Sequence, residues 1–252
     1  MISMKDVSLS KRMEAVVNMV SPQSFTIADV GCDHAYVSIA LLQRKLAKNV
    51  IAMDVRKGPL DIAKRNITEA GFLDVIDVRL GDGLQRLAVD EVDTIIIAGM
   101  GGLLIKGILE RGIHILKDGK KKPVLILQPQ SDLHEVRHFL YENSYCIVQE
   151  QMLIDEGKYY TIMKAQASDI EEETAYNEVE WVYGRCNLLN RNQCLFSYLQ
   201  NEKKVLENIY INLQKTISGS EKESVNEATL ERLHTLKQEI ALNEKALEYY
   251  GE

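Results

Sequence analysis

The sequence predicts an α/β fold, a mostly parallel sheet closed by an antiparallel hairpin and followed by a helical tail. Three observations predict it. Short β-branched runs alternate with helical patterns over the first two-thirds of the 252 residues. The rhythm then changes to two extended runs around a glycine, and the last third carries apolar residues at heptad-like spacing.

Taken in order, the strand Thr26–Val30 runs into "DVGCDHAY" and the helical pattern Ala35–Leu46. Strands at Val50–Asp54, Val75–Leu80, Thr94–Ala98 and Val124–Gln128 alternate with helices at Pro59–Ala70, Leu103–Leu116 and Leu133–Glu142. Such βαβ spacing places ligands at the carboxyl ends of the strands. Tyr145–Ile154 and Lys158–Gln166 form a hairpin across "DEGK", with Gly157 in the turn. From Ser168 the chain turns acidic, with "DIEEETAYNEVE" as a helix start or linker. Leu195, Leu199, Leu206, Ile209 and Leu213 then follow a 3/4 alternation interrupted by Glu202. Leu233, Leu236, Ile240 and Leu247 resume it, with Ser224 and Glu227 as a capping box. This predicts an antiparallel helical hairpin, either a coiled-coil arm or a plain two-helix extension with no partner, with monomer and coiled-coil-mediated dimer both left open. The expected domains are residues 1–167 and 168–252.

A hydrophobic content of 46% supports a substantial core. The longest uncharged run with an apolar centre, Thr94–Ile105, has 12 residues, short of the roughly 20 that a bilayer needs. No membrane span is expected. Cys32, Cys146, Cys186 and Cys194 lack metal-site spacing and read as reduced thiols of a cytoplasmic protein, with no metal. Net charge is −7, but residues 1–167 carry 21 basic and 21 acidic side chains, while residues 168–252 carry 9 and 16. An acidic tail thus masks a balanced N-terminal part, and a nucleic-acid partner is not excluded.

The chemistry concentrates at the strand ends. Gly31 allows close backbone approach, but Asp33 and Ala35 stand where a dinucleotide site carries further glycines. Asp29 and Asp33 would repel a pyrophosphate; they suit S-adenosylmethionine, which has no phosphate and bears a sulfonium and an ammonium. Alternatively Asp33 caps the following helix. Asp54 ends the second strand, where an acid holds ribose hydroxyls. Asp82, between Gly81 and Gly83, meets an adenine amino group or is an ordinary turn residue. "AGMGG" (Ala98, Gly99, Met100, Gly101, Gly102) ends the fourth strand, and three glycines there imply close approach of a ligand. "LQPQ" puts Gln128 and Gln130 near the same crevice, to read a base edge or to cap a loop. Met53, Met100 and Cys32 read as lining, not as reactive groups.

With "DVGCDHAY", "LGDGL", "AGMGG" and "LQPQ" in this order, and "LSKRM" and "EGKYY" at either end, the chain resembles the bacterial tRNA (adenine-22-N1)-methyltransferase family, TrmK. The resemblance spans about residues 5–165. It implies a Rossmann-like class I methyltransferase fold with a seven-stranded sheet, S-adenosylmethionine as donor, and N1 of a tRNA adenosine as acceptor. It also implies a cofactor loop of Asp29, Gly31, Cys32, Asp33 and His34, with Asp54 and Val55 at the ribose. Gly81, Asp82 and Gly83 then serve the adenine, and Ala98 to Gly101 the reactive end. Adenine N1 owns a lone pair, so no base is needed to activate it, and Asp33 is the acid expected nearest the developing cation. Arg12, Lys11, Tyr36, Gly102 and Gln128 are the expected substrate contacts. Arg56, Lys57, Lys64, Arg65 and Lys120–Lys122 join Lys11 and Arg12 as candidate phosphate contacts. A small-molecule methyltransferase and a non-catalytic tRNA-binding protein remain as alternatives. A nicotinamide dehydrogenase is disfavoured by Asp33 and the terminal hairpin.

Overall fold

The computed structural model describes residues 7–22, 24–168, 175–219 and 227–251. It divides into two compact units, residues 1–173 and 174–252. The segment "DIEEET" and Ser224 of the expected capping box lie outside the described residues.

The first unit runs α1 (Lys11–Asn18), β1 (Ser24–Val30), α2 (Tyr36–Gln43), β2 (Ala47–Asp54), α3 (Lys57–Glu69), β3 (Ile76–Leu80) and β4 (Thr94–Met100). It continues through α4 (Gly102–Arg111), α5 (Ile113–Lys117), β5 (Val124–Pro129), α6 (Leu133–Glu142), β6 (Tyr145–Asp155) and β7 (Lys158–Ala167). The seven strands are ordered β3-β2-β1-β4-β5-β7-β6. The first five are parallel, and β7 pairs antiparallel with both β5 and β6. Strand order reverses between β1 and β4, where doubly wound sheets open a crevice for ligands. Ile95, Ile96, Ile97, Leu125, Ile126 and Leu127 are wholly buried, as expected of central parallel strands covered on both faces. The hairpin turns at Glu156 and Gly157, whose positive φ values of 48° and 76° suit the two-residue turn between paired Asp155 and Lys158.

Three elements depart from expectation. Helix α1 was not foreseen; Ser10 caps it by accepting from the Met13 N–H, and Ala15, Val16 and Val17 bury its inner face. Helix α2 stops at Gln43, three residues early. There Lys45 takes φ 57°, and the Leu46 and Lys45 N–H groups return to Leu41 and Leu42 carbonyls. This is a Schellman stop with lysine in the usual glycine place, so no sequence signal marks it. The expected helix Leu103–Leu116 breaks at Gly112, where a Cβ would lie 2.5 Å from Leu84. Between α6 and β6, Arg137 and Glu150 form a buried ion pair at 2.9 Å.

The second unit contains α7 (Glu178–Tyr183), α8 (Arg185–Leu189), α9 (Gln193–Gly219) and α10 (Glu227–Glu248). A capping box of Asn177 and Glu180 starts α7. Helices α9 and α10 are antiparallel: Tyr250 donates to the Asn192 carbonyl at 3.0 Å, Asn243 to the Leu199 carbonyl at 3.1 Å, and Lys237 lies over the Tyr210 ring. Glu202 is the polar interruption in the apolar pattern. Its carboxylate accepts from Tyr183 and Tyr198 at 2.7 Å and from Asn243 at 2.8 Å. These bonds tie α7, α9 and α10 together at one level, a device that specifies register.

Candidate active site

A cavity of about 500 Å³ opens at the carboxyl ends of β1 to β4. Of the residues expected from sequence, Gly31, Asp33, Asp54, Val55, Gly81, Asp82, Gly83, Ala98, Gly99, Met100 and Arg12 line it together.

The β1–α2 loop is the most constrained part. Gly31, Asp33 and Ala35 all take left-handed backbone, with φ of 76°, 50° and 60°. The two non-glycine residues cost on the order of 1 kcal/mol each. The loop is held from β2 and α3. Gly31 and Cys32 donate to the Met53 carbonyl at 2.8 and 2.9 Å, and the Asp33 N–H reaches Asp54 at 3.3 Å. From α3, the Asn66 amide donates to the His34 carbonyl at 2.9 Å. The φ of 76° favours glycine at position 31, and a Cβ there would lie 2.2 Å from the Met100 methyl, which would have to swing aside. Asp33 does not cap α2; the cap position is Ala35, and no side chain bonds there. The Asp33 carboxyl is instead 60% exposed, 3.8 Å from His34 and 3.9 Å from Arg56.

Asp54 is buried, and both its oxygens are engaged, one by the Arg56 N–H at 2.8 Å and the other by Asp33. Asp82 is half exposed and lies 3.4 Å from Arg111 of α4. In "AGMGG", the pairing of β4 with β5 shifts between Ala98 and Met100, and Gly99 bulges out with φ 81°. The Gly99 N–H is caught by Gln128 at 3.1 Å. Gly102 answers packing: a Cβ there would lie 2.3 Å from the Ser131 carbonyl oxygen. Gly101 sits between these two, at the start of α4.

Several of the expected residues lie off the cavity lining, through burial or direction. Asp29 does not line the cavity; it is buried and accepts from the Ser38 hydroxyl at 2.6 Å. Burial pushes its carboxyl up to about 6, against the Ser38 bond that holds it down. The Cys32 thiol is buried and pushed far up, first by desolvation and then by Asp29, Asp54 and Asp33, so it packs and does not react. His34 and Tyr36 lie outside the cavity lining and meet edge to face at 6.0 Å. Lys11 is exposed on α1, away from the lining, and Gly101 and Gly102 sit beside the lining without joining it. Gln128 is completely buried, behind Arg12. Lys120–Lys122 precede β5, at the opposite end of the sheet, where Lys121 engages Asp90.

Sequence reasoning missed Met13, Val30, Leu104 and Ile108 as lining, and placed Arg56 on the RNA backbone although it reaches Asp54 at 3.6 Å inside the cavity. Apolar walls carry no motif, although Leu104 and Ile108 stand four apart on α4. Among the described residues, no group of three or more His, Cys, Asp or Glu side chains could hold a metal ion. No described helix is long and apolar enough to cross a membrane.

Strand-tip acids around a glycine-rich opening fit a donor that is cationic and free of phosphate; a pyrophosphate would face Asp33 and Asp54. Fold and site together define a methyltransferase domain, and the family model described as "Methyltransferase domain" matches residues 9–163. A tRNA (adenine(22)-N(1))-methyltransferase of Bacillus subtilis (strain 168) is 32% identical over 241 residues, covering 94% of this chain and 99% of the relative. The structure also matches that of the Streptococcus pneumoniae putative tRNA (m1A22) methyltransferase Sp1610 in complex with S-adenosyl-L-methionine. That match has a TM-score of 0.79 and 31% identity, over 95% of this chain and 100% of the other. M. capricolum TrmK in complex with S-adenosyl-homocysteine matches with a TM-score of 0.78 and 25% identity, over 96% and 98% of the two chains. The chain belongs to the tRNA (adenine(22)-N(1))-methyltransferase family.

Proposed function

We propose that this protein transfers the methyl group of S-adenosylmethionine to N1 of adenine 22 in tRNA, in the cytoplasm. The observation that carries the reading is the meeting of Asp33, Asp54 and Asp82 with the Gly99 bulge in one cavity, in a chain of this family. When bound, the donor supplies a sulfonium methyl group to an in-plane nitrogen lone pair. Asp54 would hold the ribose and Asp82 the adenine amino group, with Val55 and Ile108 as apolar walls. The Asp33 carboxyl, held at the mouth by the strained loop, stabilises the positive charge as it passes to the base. No side chain takes a proton from the nucleophile, which accounts for the site working without a Ser-His-Asp set. The Gly99 bulge leaves room for the acceptor. The base must leave its stack to reach it, at a cost of a few kcal/mol. Lys11 on α1 and Lys57, Lys64 and Arg65 on α3 are exposed and supply phosphate contacts.

Incubating the protein with labelled methyl donor and bulk unmodified tRNA, then mapping the label, tests the reading. Label at N1 of adenine 22 supports it. Label at another nucleotide keeps a tRNA methyltransferase and overturns the position; no incorporation overturns the activity.

A further inference from the structure

Two guanidinium groups line the acid-tipped cavity, and their surroundings differ. Arg56 lies 3.6 Å from Asp54 and 3.9 Å from Asp33, so acids answer its charge. Arg12 makes no ion pair among the described residues. Its Nη1 donates to the Gln128 amide oxygen at 2.8 Å, and its guanidinium lies 5.0 Å from the Tyr160 ring centroid. Asp155 accepts from the Arg12 backbone N–H, at 3.1 Å.

Gln128 has no exposed surface. Its oxygen also accepts from the Gly99 N–H at 3.1 Å, and its nitrogen donates to the Pro129 carbonyl at 3.2 Å. The amide therefore has one workable orientation, with two donors at its oxygen and an acceptor at its nitrogen. A carboxylate here would accept the same two bonds, cancel the charge of Arg12 and face the Pro129 carbonyl. A neutral acceptor holds the cation in place and leaves its charge for something else.

We propose that Gln128 is a positioning residue that presents Arg12 as the anchor for an anionic oxygen group of the ligand. The shared chemistry is a carboxylate or phosphate oxygen, supplied by the amino-acid end of the methyl donor or by the RNA backbone. This rests on the function proposed above. Pairing such a group with Arg12 gives charge-assisted hydrogen bonds, and removing them weakens binding about tenfold to a hundredfold.

The test uses the full chain and the variants Arg12→Met, Gln128→Glu and Gln128→Met. Calorimetry reads affinity for S-adenosylhomocysteine, which has the carboxylate, and for 5′-deoxy-5′-methylthioadenosine, which lacks it. Kinetics read KM for tRNA at several salt concentrations. A carboxylate anchor predicts that Arg12→Met and Gln128→Glu weaken S-adenosylhomocysteine about tenfold or more and spare methylthioadenosine. A phosphate anchor predicts unchanged small-ligand affinities, a raised KM for tRNA and a shallower salt dependence. In either case Gln128→Glu is worse than Gln128→Met, which leaves the arginine charged. A merely structural glutamine predicts the reverse order and equal losses for both small ligands. That pattern, or no change in any assay, overturns the proposal. Arg12→Met alters a half-buried surface side chain, so the anchor is tested even if Gln128→Glu does not fold. A wild-type protein without affinity for S-adenosylhomocysteine would instead overturn the functional reading, which separates the two failures.

Discussion

Asp33 is held at φ 50° between two other left-handed residues, yet its carboxyl caps nothing. A strained position whose carboxyl is turned to the cavity mouth, while only its backbone N–H serves the loop, points to chemistry. Asp33→Asn keeps a residue that tolerates this backbone and removes only the charge. Turnover on tRNA is expected to fall about tenfold or more, with the melting temperature shifted by no more than about 2 °C. Equal losses of turnover and stability would return Asp33 to a structural part. Asp29, four residues earlier, behaves oppositely, and sequence alone did not separate the two: both are acids beside one glycine, and only the Ser38 hydroxyl and full burial distinguish them. Its folded-state value is about 6 against 3.8 for the free side chain, raised by desolvation. Between those values the folded protein keeps a proton that the unfolded chain has lost. Asp29 thus favours folding below about pH 4, and that contribution is lost as pH rises through 6. The span is roughly 3 kcal/mol. Asp29→Asn should flatten the stability profile between pH 4 and 6, measured by urea unfolding; an unchanged slope would place the titration elsewhere.

At the scale of elements, five strands and the hairpin were legible because buried β-branched runs and a Gly157 turn are local signals. Helix α1 was not. It spans 8 residues, and its buried face appears only once the chain lies against the sheet. Arg12 was therefore expected as a substrate and phosphate contact, but without the helix that sets it in the cavity wall. The break at Gly112 was hidden for a similar reason, since a single glycine inside an apolar pattern gives no hint of Leu84 pressing on it. The α6–β6 packing holds another such tertiary fact, the Arg137–Glu150 pair, with both side chains 1% exposed. Removing Arg137 takes a cation away from a buried carboxylate. Arg137→Met should cost about 3 to 5 kcal/mol, and Arg137→Met with Glu150→Leu should recover much of it. A urea midpoint for the double variant no better than for the single would show that the pair's charges are not what the packing depends on.

Across the whole molecule, the net charge of −7 concealed where cations stand. The sheet separates them. Lys57, Lys64 and Arg65 are exposed on α3, the helix that follows the acid-tipped end of β2. Lys120, Lys121 and Lys122 lie at the start of β5, where Asp90 accepts the Lys121 N–H and Lys120 and Lys122 lower its carboxyl. An RNA whose target base enters the cavity meets the first group and is a sheet's length from the second. Replacing Lys57, Lys64 and Arg65 by glutamine should raise KM for tRNA and reduce its dependence on salt, by about 0.7 to 0.9 in log–log slope for each phosphate no longer neutralised. The same replacement of Lys120–Lys122 should change neither, and affinity for S-adenosylhomocysteine should hold in both variants. If the Lys120–Lys122 variant carried the salt dependence instead, tRNA would approach from the amino-terminal ends of the strands, and a cavity at their carboxyl ends would not be where it is methylated.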